Sequence, residues 1–60
     1  MNTSDISAIA RRMYSEQGSK AIAEAAQKAA AFESKGDKEQ AKVWQQVKAV
    51  LSEMQGPRES

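Results

Sequence analysis

Sixty residues leave room for at most one small domain, and 40% apolar with 28% charged side chains fits a folded module better than a disordered tail. Nine basic side chains against eight acidic ones give a formal charge of +1, which excludes a global electrostatic pull toward nucleic acid or anionic lipid. The chain has no cysteine and no histidine. That removes a disulfide framework, a thiolate metal site, a cysteine nucleophile, and the commonest general base and metal ligand.

The first twelve residues carry Asp5 and no basic residue ahead of their apolar run, so they lack the layout of a signal peptide. No stretch approaches the ~18 consecutive apolar residues of a membrane-spanning helix. The expected location is the cytoplasm. Glycines at 18, 36 and 56 and the single proline at 57 divide the chain into pieces of similar length. Nothing alternates with period two, so strands are not expected.

The first element is expected over about 4–17. Ile6, Ile9, Ala10, Met13 and Tyr14 follow the i, i+3, i+4, i+7 spacing of one helical face. Thr3 or Ser4 suits the cap, Asp5 suits the positive helix start, and Gly18 can close the helix in the left-handed conformation. The second element is expected over about 20–35, with Ser19 as its cap. It is dominated by alanine, the best helix former. Ile22, Ala25, Ala26, Ala29 and Phe32 are its expected inner stripe. Such a stripe lets a neighbouring helix approach closely, but its methyl groups remove far less apolar surface from water than leucines would.

Gly36-Asp37 is the clearest boundary. Asp37 is a good N-cap and Gln40 stands three residues on, the spacing of a capping box. The third helix is expected over about 38–55. Ala41, Trp44, Val47, Leu51 and Met54 form its stripe, with Val43 and Val50 widening it on one side. Gly56-Pro57 ends it, because proline cannot continue a helix. The domain is expected over 1–56 and a frayed tail over 57–60. Tyr14-x-x-x-Gly18-Ser19-Lys20 and Phe32-x-x-x-Gly36-Asp37-Lys38 are eighteen residues apart, which predicts two corners of similar construction.

The spacing Ala25, Ala29, Phe32, Gly36-Asp37, Ala41, Trp44, Val47, Leu51 partly resembles one tetratricopeptide repeat. Gln45 and Lys48 depart from that pattern, where an aromatic and a small residue are wanted. The resemblance implies a shared way of turning between two helices. Residues 10–54 as a whole resemble short, uncharacterised helical proteins of alphaproteobacterial type. That pattern is Tyr14 to Gly18, Ile22 to Phe32, Gly36-Asp37, then Trp44-x-x-Val47, and it implies no particular activity.

Candidate functional residues follow from the same spacing. Trp44 reads either as a core anchor between the second and third helices or as a partner-facing hot spot. Val43 and Val50 lie ~100–120° around the helix from Trp44, a wide arc for one neighbouring helix to cover. Val43, Trp44, Val47, Val50, Leu51 and Met54 are therefore the candidate partner-binding set. Arg11-Arg12 reads as a solvated face, or as a contact for a membrane surface or an acidic partner. Lys35, Lys38 and Lys42 gather at the start of the third helix, the alternative nucleic-acid site, though Glu39 and Glu53 interrupt the basic face. Glu33 adjoins the inner stripe of the second helix and suits pairing with a lysine or arginine. The scattered carboxylates lack His or Cys partners, so neither a metal site, a cofactor nor catalysis is expected.

The expected fold is all-α, a three-helix mini-domain: an antiparallel αα-hairpin with the first helix packed across it. The expected function is a small cytosolic interaction module, self-associating or an accessory or regulatory subunit of a larger complex. The alternative is a small nucleic-acid-binding regulator. Chains this short usually need a staple, and with disulfides excluded and metals improbable, association with another chain is the remaining route.

Overall fold

A computed structural model describes residues 3–56, with side chains from Asp5 onward. The cap expected of the Thr3 or Ser4 side chain and the tail expected at 57–60 lie outside the described residues. Three helices follow in order: α1 (Thr3–Gln17), α2 (Lys20–Ser34) and α3 (Lys38–Met54). The all-α, three-helix expectation holds, and each helix bound lies within one residue of the expected one. The pairing of α2 with α3 is the most extensive, and α1 lies across it, packed more on α3 than on α2.

The two corners are built differently. At the first, Gly18 has φ 65° and its N–H donates to the Tyr14 carbonyl at 2.8 Å, a simple left-handed cap. Ser19 does not cap α2 as expected. Its backbone is already right-handed helical (φ −67°, ψ −15°) and its side chain makes no cap hydrogen bond. A capping side chain needs an extended backbone beneath it, and Ser19 lacks one.

At the second corner the Gly36 N–H donates to the Glu33 carbonyl at 3.0 Å, and the Asp37 N–H donates to the Phe32 carbonyl at 2.9 Å. This pair of bonds around a left-handed glycine (φ 83°) is a Schellman motif. The Asp37 carboxylate also accepts from the Gln40 N–H at 3.2 Å, so the expected N-cap is in place. The reciprocal half of a capping box is pre-empted, because the Asp37 N–H that Gln40 would reach is given to Phe32. The expected similarity of the corners therefore stops at the glycine.

The core is narrow. Ile6 and Ala10 of α1, Ala21, Ala25 and Ala29 of α2, and Ala41, Val47 and Leu51 of α3 are buried. Five of these eight are alanines, and Leu51 and Val47 are the largest fully buried side chains. On α2 the buried line is Ala21-Ala25-Ala29, turned slightly from the expected stripe: Ala21 joins it, while Ile22, Ala26 and Phe32 are only half-buried. Close approach along an i, i+4, i+8 line of methyl groups leaves no room for larger side chains there, so Ile22 and Phe32 flank the contact.

Candidate interaction surface

Around this alanine-rich centre the larger apolar side chains form a half-buried rim. Ile9, Met13, Tyr14, Ile22, Val43, Trp44, Val50 and Met54 all pack against the central cluster while remaining partly open. The six residues of the expected partner-binding set thus fall into two classes. Val47 and Leu51 are 0% exposed and serve the protein's own core. Val43, Trp44, Val50 and Met54 stay partly accessible.

The two flanks of α3 are used differently. Val43 lines a cleft of about 420 Å³ together with Ile6 of α1 and Gln46, so α1 covers part of that flank. Val50, seven residues on, lies on the same side at ~20° from Val43 around the helix. Trp44 is on the flank toward α2, where the Lys28 ammonium lies 5.5 Å from its ring centroid. A cation over an indole face at this distance is attracted by the ring quadrupole, and the pairing leaves the tryptophan flat under a flexible, solvated stem.

Two further openings lie between α2 and α3. The larger, about 450 Å³, has small walls (Ala26, Ala30, Ala49) with Glu33 and Lys48 at its edges. The smaller, about 220 Å³, brings Lys38 and Lys42 together with Glu33 and Gln45. Lys38 and Lys42 therefore share one cleft, as their i, i+4 spacing requires, but an acidic side chain shares it with them. Lys35 is drawn elsewhere, its ammonium 5.6 Å from the Phe32 ring centroid. Lys38 and Lys42 thus share their cleft with Glu33, while Lys35 is placed against Phe32.

Arg12 pairs with Glu16 at 3.9 Å on the exposed face of α1, and Arg11 is exposed beside it. An exposed i, i+4 pair with the arginine N-terminal is the weaker orientation of such pairs. Among the described residues no group of His, Cys, Asp and Glu is placed to hold a metal ion. None of the described helices is long and apolar enough to cross a membrane. Sequence reasoning missed the alanine-walled groove. Ala26, Ala30 and Ala49 were a possible signal, but in an alanine-rich helix every face carries small residues. No family model matches the chain, and comparison with curated proteins and with solved structures finds no match either.

Proposed function

We propose that this chain is a small protein-interaction module of the cytoplasm, associating with itself or serving as an accessory subunit of a larger complex. The observation that carries the reading is the distribution of its apolar side chains. The buried centre is mostly methyl groups, while Trp44, Val43, Val50 and Met54, with Met13, Tyr14 and Ile22, stay half-open around it. Covering a half-buried rim with another protein surface removes more apolar area from water for little further ordering, because these side chains are already held on one side. A tryptophan already flanked by packed side chains is the kind of residue that dominates binding energy when a partner completes its pocket.

The test is association measured directly. Sedimentation over a dilution series of the pure chain, and affinity capture with the partner identified by mass, should reveal a homo-oligomer or a stoichiometric complex. Trp44→Ala should weaken that association by at least tenfold while α3 persists by circular dichroism. A chain that stays monomeric at high micromolar concentration and captures no partner overturns the reading.

A further inference from the structure

The first corner is a hinge of one residue. Between Thr3 and Ser34, α1 and α2 are helical, Ser19 is already right-handed helical, and Gly18 alone is left-handed (φ 65°). Glycine adopts the right-handed region as readily as the left, so rotation at this residue alone turns the corner into a continuous helix. The hydrogen bonds survive the change. Gly18 N–H to Tyr14 carbonyl is already the i to i−4 bond of a helix. The tighter bonds from Ala21 N–H to Gly18 and from Ile22 N–H to Ser19, at 3.0 and 3.1 Å, would pass to the carbonyls one residue earlier. No side-chain cap is lost, because Ser19 makes none.

Charge favours the straight form too. In the corner, Glu16 is in the last turn of α1 and Lys20 opens α2, each against the helix dipole. In one helix both dipole ends vanish, and Glu16 and Lys20 become an i, i+4 pair with the glutamate N-terminal, the favourable order. The second corner has no such freedom. Asp37 lies outside the helical region (φ −89°, ψ 80°) and is tied by its N–H to Phe32 and by its carboxylate to the Gln40 N–H.

We infer that this chain also pairs with a second copy of itself by exchange of α1 about Gly18, a route that refills the α1 seat and does not draw on the half-open rim. Straightening lifts α1 off its seat on α2 and α3, where Ile6 and Ala10 join the cluster of Ala21, Ala25, Val47 and Leu51. The α1 of the second copy fills that seat with the same side chains, and reciprocally, so no new surface complementarity is required. The exchanged helix, Thr3 to Ser34, is about 48 Å long at 1.5 Å per residue. It is longer than the 35 Å longest dimension of the folded-back chain, so α1 in this form has left its own α2 and α3.

Gly18→Ala tests the hinge. An added Cβ meets no atom within 4 Å, so its effect is on the backbone alone. Alanine resists the left-handed corner and favours the helix, which together shift the balance toward the straight form by roughly 20- to 150-fold per hinge. The chain has no native cysteine, so Ala8→Cys and Ala31→Cys, both exposed, accept spin labels specifically. Diluting labelled chains with unlabelled ones makes the measured distance an intrachain one. Sedimentation should show Gly18→Ala as a dimer at concentrations where the wild type is largely monomeric. The labels should then read roughly 35 Å, from 1.5 Å per residue over the intervening helix, and a much shorter distance in the folded-back monomer. Four flexible residues (Gly-Gly-Ser-Gly) inserted after Gly18 should return the chain to a monomer with its three helices. A Gly18→Ala chain that stays monomeric, or that loses its helices, overturns the exchange. A dimer with the short intrachain distance also overturns it, while leaving the broader association reading standing.

Discussion

Three residues at the corners carry unequal weight although their sequence settings look alike. Asp37 holds the Gln40 N–H with its side chain, and a cap of this kind contributes about 1 kcal/mol, so Asp37→Ala should lower stability by roughly 0.5–2 kcal/mol. Ser19→Ala should change almost nothing, since no cap bond is lost. Urea denaturation of the two variants side by side checks the contrast, and equal losses would contradict it. Gly36 has φ 83° with open space where a Cβ would be, so its substitution acts through the backbone alone. Gly36→Val should cost roughly 1–2 kcal/mol, because a β-branched side chain resists the left-handed region. An unchanged denaturation midpoint would show that the corner tolerates another geometry.

Among the elements, all three helices end with a charge against their own dipole, although Asp5 and Glu39 suit the starts of α1 and α3. Glu16, Glu33 and Glu53 occupy the last turns of α1, α2 and α3, none of which has a basic residue there, and α2 and α3 open with Lys20 and Lys38. A cation in place of Glu53, on an exposed position near the α3 carbonyl end, should raise stability by about 0.3–1 kcal/mol at low ionic strength. Thermal melts of Glu53→Lys at low and high salt check this: the gain should shrink as salt rises. The helices themselves were legible in the sequence, because Gly18, Gly36 and Asp37 mark their ends with residues that only a few backbone geometries favour. The inner face of α2 was less so. With alanine on every side, Ile22 and Phe32 were the only large residues to orient it, and close approach of the helices displaced both to the flanks in favour of Ala21. Nor could spacing along α3 show that α1 covers the Val43 flank, since that depends on where α1 crosses the hairpin.

For the whole molecule, the near balance of charge and the placing of Glu33 beside Lys38 and Lys42 predict binding to DNA or RNA no tighter than the micromolar range at physiological salt. A sub-micromolar, sequence-dependent dissociation constant would contradict this. Association makes the opposite kind of prediction, because it links stability to concentration. If the native form is an assembly, each molecule that unfolds must also leave its partner, and dilution favours the unfolded chain. The described core, with Leu51 and Val47 as its only large fully buried side chains, gives little reserve against that pull. For a dimer of a chain this short, a hundredfold rise in protein concentration should raise the melting temperature by roughly 10–12 °C. Added salt should leave the shift nearly intact, since apolar contacts are not screened as ion pairs are. Melts by circular dichroism across that range, at two ionic strengths, measure both effects in one experiment. A melting temperature independent of concentration would mean that the alanine-centred core suffices for a single chain, and the association reading would fall.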